Sequence, residues 1–156
     1  MAVFAGRHRV VELDILEYVA EHSTPPDAVQ QELQAATQER TGGMARMQIG
    51  HDQAVFMETL VRAMSVRNAI EVGTFTGYSA LAIARGLPPD GKLLCLDINE
   101  EWGQIAREHW DRAGLAARVE LRIGPGADAI RAMPKAGQFD LAFIDADKPA
   151  YAEYYE

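Results

Sequence analysis

Three features of the sequence predict an α/β fold with a parallel sheet covered by helices on both faces. From Asn68 onward, short apolar runs alternate with helical stretches in the order β-α-β-α-β-α-β. That alternation needs right-handed crossover helices, and so a parallel sheet. The residues before Asn68 carry helical periodicity alone. Finally, the glycine-bearing turn "GTFTGYS" joins the first apolar run to a helix, as happens at the ligand-binding edge of open α/β sheets.

The elements follow in order. Val10, Leu13, Leu16, Val19 and Ala20 recur at helical spacing and predict a first helix over residues 10–22. The prolines of "STPPD" end it and suit the start of a second, mostly polar helix over 27–40. "TGGMARMQIG" reads as a loop. A third helix is expected over 51–66, with Val55, Phe56, Leu60, Val61 and Met64 as its apolar side. "NAIEV" is the first strand, and a helix over 78–85 follows it. "PPDG" is a turn and "KLLCLDI" the second strand. In "NEEWGQIAREHWDRAG", Asn99 is placed as the N-cap of a helix and Gly114 as its stop. "RVELRI" is a strand, "GADAIRAM" a helix, "FDLAFID" a strand and "PAYAEYYE" the start of another helix. The whole reads as one domain, 1–156, in which a helical cap, 1–67, lies over one end of an α/β core, 68–156.

Composition excludes several functions. At 156 residues and 48% apolar content the chain can bury a sizeable core. No apolar run approaches the ~18 residues of a membrane span, and the N-terminus lacks the apolar core of a secretion signal, so a cytoplasmic protein is expected. The formal net charge of -8 and the scattered basic residues argue against nucleic acid as a partner. A single cysteine, Cys95, forbids a disulfide within the chain and reads as a small buried apolar side chain. The histidines have no metal-ligand spacing.

The chemistry concentrates at two strand ends. Gly73 and Gly77 allow a tight turn and close approach to a ligand, and the amides at Tyr78 and Ser79 open a helix toward an anionic group. The glycines lie four apart with Phe75 between them, so the G-x-G-x-x-G dinucleotide pattern is absent. Asp97 ends the second strand 20 residues after Gly77, where a carboxylate can accept both hydroxyls of a ribose. A ligand with a ribose and an anionic end but no pyrophosphate meets this description, and S-adenosylmethionine (SAM) is one. At the fourth strand's end, Asp145 and Asp147 suggest a hard cation such as magnesium, with Lys148 as a base if burial or positive charge lowers its pKa. The alternative is that both aspartates cap the next helix and Lys148 stands in solvent.

Taken together, "AIEVGTFTGYSALAIA", "LLCLDINEEW" and "FDLAFIDADKPAYAEYY" resemble the cation-dependent O-methyltransferases, the family of catechol and caffeoyl-coenzyme A O-methyltransferases. The resemblance implies a Rossmann-like SAM-methyltransferase sheet whose first four parallel strands run in the order 3-2-1-4. It implies that Glu71, Gly73 and Ser79 hold the amino-acid end of SAM, with Phe75 and Tyr78 lining that pocket and Gly77 among the cofactor-binding residues. Asp97 would bind the ribose, Ile98 would lie against the adenine with Gly126 and Ala127 nearby, and Met47 would sit in the segment closing over the methyl donor. Asp145 would touch the cofactor region and ligate Mg2+ or another divalent cation. Lys148 would take the proton from a hydroxyl of a phenolic, catechol-type small molecule. The sequence departs from the family at "GPGAD", where Pro125 lacks an N–H and one adenine contact is expected to be lost or rearranged; Asp128 either compensates or, the favoured reading, caps the helix. It also lacks the family's later strands, including the Asp-Asn pair that completes the metal site. This predicts a C-terminally truncated enzyme with an apolar fourth-strand edge that a second copy or rearranged helices must cover, hence a homodimer. The alternative activity is a non-catalytic SAM-binding or oligomerising fragment.

Overall fold

The computed structural model describes residues 13–134 and 137–155. Four strands, β1 (Asn68–Val72), β2 (Lys92–Asp97), β3 (Val119–Ile123) and β4 (Leu141–Ile144), pair in parallel in the expected order β3-β2-β1-β4. The register sets Glu71 opposite Cys95 and Phe143, and Val72 opposite Leu96 and Ile144. Because strand side chains alternate, Ala69 and Glu71 share one face of β1 while Ile70 and Val72 share the other.

The first face carries the main core. It packs against α3 (His51–Ala63), α4 (Tyr78–Gly86) and α5 (Glu100–Arg112), with Val61, Leu81, Ile83, Leu93, Ile105 and Trp110 buried together. All of α4 except Arg85 is buried, as expected of a helix held between a sheet and a second helix. α2 (Ala28–Thr41) packs outside, on α4 and α5, and begins with a capping box between Asp27 and Gln30. The second face is thinner. Ile70, Val72, Leu94 and Leu96 meet Ala129 and Ile130 of α6 (Gly126–Arg131) and Tyr154 of α7 (Tyr151–Tyr155). α1 (Leu13–His22) buries none of its residues. The first residues of its predicted span, Val10 among them, lie outside the described part.

Several boundaries differ from expectation, each for a tertiary reason. The third helix stops at Ala63, because Ser65 takes a left-handed φ of 55° and Val66 is already buried on the way to β1. The expected loop at 41–50 contains a 3-10 helix, Gly42–Met47. β2 ends at Asp97, leaving Ile98 76% exposed. The last segment opens with a 3-10 turn, Lys148–Ala150, around Pro149 before α7 begins. Asn99 does cap α5, its side chain accepting from the Trp102 N–H at 3.0 Å, and Gly114 follows with a φ of 70°. Asp128 caps nothing: α6 has Pro125 at its N-cap, and Asp128 pairs with Arg131.

β4 lies at the sheet's edge, and no described strand pairs with its outer side. Leu141 and Phe143 pack against the first core and Ile144 against the second, so the strand is half-buried by its faces alone.

Candidate functional site

Two glycines shape the turn after β1. Gly73 has a φ of 92°, and a Cβ there would lie 2.6 Å from the Asp145 carbonyl oxygen. Only glycine lets the ends of β1 and β4 abut at this point, which brings residues 145–148 beside the glycine turn. Gly77, at a φ of 85°, presses the start of α4 onto α5. A Cβ there would meet Ala106 at 2.6 Å and Trp110 at 2.8 Å, and the Trp110 indole N–H donates to the Gly77 carbonyl at 3.1 Å.

Between them Phe75 adopts a left-handed φ of 53°, uncommon for a residue with a side chain. Asp97 holds it there. Its Oδ2 accepts the backbone N–H groups of Thr74 (2.9 Å) and Phe75 (2.7 Å), and its Oδ1 accepts that of Asn99 (2.9 Å). A carboxylate has room for about four donors, so about one strong position remains on Oδ1 for a ligand hydroxyl. The Phe75 ring stands edge-on to Trp102, with centroids 4.8 Å apart.

These parts enclose a cleft of about 620 Å³ at the carboxyl ends of β1, β2 and β4, a size that suits a small organic ligand. Of the residues singled out from the sequence, Met47, Gly73, Phe75, Tyr78, Ser79, Asp97, Ile98, Gly126, Asp145 and Lys148 line it. Glu71, Gly77 and Ala127 do not. Glu71 points from β1 into the first core, Gly77 is spent on packing, and Ala127 follows Gly126 one step further round α6. Sequence reasoning missed Thr74, Trp102 and Tyr154, which also line the cleft, as do Gln48 and Ile49 of the expected closing segment 47–49. Trp102 had a signal, since its position three residues after the Asn99 cap returns it to the strand end.

The electrostatics are uneven. Glu71 is wholly buried, and desolvation pushes its carboxyl up to about 7, although the Ser79, Thr74 and Cys95 side chains around it pull the other way. Neither of its oxygens is in hydrogen-bonding geometry with any described group, and the buried Gln48 Oε1 beside the cleft is orphaned too. Burial pushes the Tyr78 hydroxyl up to about 12, so it keeps its hydrogen. Asp145 is raised by desolvation, with the Lys148 ammonium opposing. Asp147 accepts the Tyr154 hydroxyl at 2.7 Å, and that bond pushes Tyr154 up to about 12. Lys148 is exposed, so the burial that would prime it as a base is not present. Among the described residues no group of three or more His, Cys, Asp or Glu side chains could hold a metal ion. No described helix is long and apolar enough to cross a membrane.

A family model described as O-methyltransferase matches residues 20–156. The chain belongs to the O-methyltransferase family. Among curated relatives, the catechol O-methyltransferase of Niastella koreensis is 37% identical over 73% of the chain and 52% of the relative. Caffeoyl-CoA O-methyltransferase 1 of Nicotiana tabacum is 34% identical over 97% of the chain and 65% of the relative. The chain therefore spans between half and two thirds of the length of these relatives. Two solved structures cover 91% of it. The Bacillus cereus O-methyltransferase with bound S-adenosylhomocysteine (SAH) has a TM-score of 0.83 at 32% identity, and TomG of Streptomyces achromogenes with bound SAM has 0.82 at 28%. The chain covers 64% of each.

Proposed function

We propose that this chain is the cofactor-binding part of a SAM-dependent O-methyltransferase that methylates a hydroxyl of a catechol-type phenol, with the helices up to residue 67 and the sheet acting as one unit. The observation that carries the reading is the convergence in one cleft of the glycine turn, Asp97 and residues 145–148. When bound, the cofactor supplies a methyl group on a positively charged sulfonium. The chain's own residues bind and orient. Gly73 and Ser79 receive the amino-acid end, where the orphaned Gln48 Oε1 offers an ammonium a hydrogen-bond acceptor and the Glu71 carboxyl behind the wall offers it negative charge when ionised. Asp97 accepts from the ribose. Phe75 and Tyr78 line the pocket of the amino-acid end, Ile98, Trp102 and Gly126 wall the adenine, and Met47 closes over the methyl group. Lys148, exposed in the ligand-free chain, would accept the substrate proton at Nζ only once substrate and the cationic cofactor cover it. Holding donor and acceptor in line supplies much of the acceleration.

For a divalent cation, Asp145 is the assigned ligand. Asp147 is engaged by Tyr154, and the described residues do not build a complete cation site, so no step is routed through the ion. That incompleteness favours a second reading, a SAM-binding module without turnover. Calorimetry with SAH, run beside a methyl-transfer assay from SAM to catechol with magnesium or with chelator, separates them. Magnesium-dependent product supports the first reading; SAH binding without product supports the second; absence of SAH binding sinks both.

The wall assignment makes its own prediction. Trp102→Ala removes one adenine face and the edge-on support of Phe75, and it should weaken SAH binding about tenfold by calorimetry. The same reading includes a cytoplasmic homodimer. Phe56 and Leu60 of α3 and Met64 just after it form one exposed apolar stripe, open to a second copy. Sedimentation velocity checks the oligomeric state.

A further inference from the structure

His51 and Tyr78 form a hydrogen-bonded latch between the cleft's outer wall and the glycine turn. The Tyr78 hydroxyl lies 2.9 Å from His51 Nδ1 and accepts a hydrogen bond from Gln34 Nε2 at 3.0 Å. His51 Nε2 lies 2.6 Å from the Thr24 carbonyl oxygen. A carbonyl only accepts, so Nε2 carries a hydrogen, and in the tautomer with its one hydrogen there Nδ1 is left as an acceptor. The Tyr78 O–H then donates to it. The bonds run in one direction, Gln34 to Tyr78 to His51 to Thr24, and every donor finds one acceptor.

The two middle members of this chain connect to the cleft. Tyr78 opens α4 and lines it, while Gln48 and Ile49, which also line it, lead through Gly50 into His51. Gly50, the N-cap of α3, makes no side-chain capping bond. The start of α3 is thus fixed by the His51 ring rather than by a cap. α2 braces the glycine turn a second time, since Thr37 Oγ1 bonds to Thr76 Oγ1 at 2.8 Å, both residues being buried.

We propose that His51 is a positioning residue: through Tyr78 and Thr24 it fixes the segment 44–49 against the glycine turn and so sets how tightly the cleft closes on its cofactor. This rests on the reading of the cleft as a SAM site. Loss of the ring leaves the segment held by the chain and by the packing of Ile49 on the core, and bound cofactor must then order the rest.

The test uses the whole chain, with His51→Ala, Tyr78→Phe and the double variant. Each single change should weaken SAH binding about fivefold, the equivalent of one ordinary hydrogen bond, and the double variant should lose no more than the larger single effect. Hydrogen exchange of the ligand-free protein should show faster exchange at the amides of 45–50 in all three variants. Additive losses, or unchanged SAH affinity in folded His51→Ala, would overturn the latch. If the wild type binds no SAH, the cofactor reading fails, and the exchange measurement alone decides: unchanged protection at 45–50 overturns the latch and faster exchange supports it. Tyr78→Phe keeps the ring and its packing, so it remains informative if His51→Ala folds poorly.

Discussion

Replacing Asp97 by alanine is expected to weaken SAH binding about a hundredfold and to lower folding stability by about 3 kcal/mol. The two effects have one origin. Asp97 accepts three backbone N–H groups, from Thr74, Phe75 and Asn99. Each such bond contributes about 1 kcal/mol net when the freed N–H can reach water, and more when it cannot. Phe75 sits in a left-handed conformation that costs of order 1 kcal/mol and persists only while its amide is held. Without the carboxylate the turn should relax, and the preformed cleft is lost with it. Asp97→Asn sharpens the test. Its amide oxygen can still accept from Thr74 and Phe75, but its NH2 then faces the Asn99 N–H, donor against donor. It should therefore keep about half of the stability while losing most of the ribose recognition. Urea denaturation and calorimetry measure the two quantities separately. An Asp97→Ala protein with wild-type stability would show that the turn does not depend on this carboxylate.

How much of this could be read from the sequence follows from how local each feature is. The strands were legible because "NAIEV" and "KLLCLDI" are apolar runs bounded by turn residues, and their parallel pairing follows from the helices between them. Gly73, Asp97 and residues 145–148 were legible because each ends or directly follows a strand, and the carboxyl ends of parallel strands share one edge. Boundaries were less so. The third helix ends where Ser65 turns left-handed to bury Val66, which nothing in the apolar stripe from Val55 to Met64 announces. Asp128 looked like a cap, yet Pro125 occupies that place. The latch was invisible for a different reason. His51, Tyr78, Gln34 and Thr24 belong to four separate segments, and their meeting depends on the rotation of α2, α3 and α4 about their axes. Asp147 likewise reads as half of a carboxylate pair until α7 folds back and gives it the Tyr154 hydroxyl.

Glu71→Gln should stabilise the ligand-free protein, and the gain should depend on pH. Burial raises the Glu71 carboxyl from 4.5 to about 7. The folded state therefore holds this proton more tightly than the unfolded state does. Between those values folding takes up a proton, so stability contributed by this group is fully present below the unfolded value and is lost as pH rises through the folded one. The difference of roughly two and a half pKa units corresponds to about 3 kcal/mol. Glutamine has the same shape and no proton to lose. Urea denaturation at about pH 5 and about pH 8 should show the variant gaining on the wild type by about 2 to 3 kcal/mol across that range. The proposed function explains why a destabilising group sits there. A cationic cofactor favours the ionised carboxyl, so binding expels the proton, and wild-type SAM affinity should climb as pH rises toward 7 and level off above it. In Glu71→Gln that climb should vanish and the affinity above pH 7 should fall below wild type. A variant that binds SAM as tightly as the wild type at about pH 8 would mean that the buried charge serves no cofactor, whatever its effect on folding.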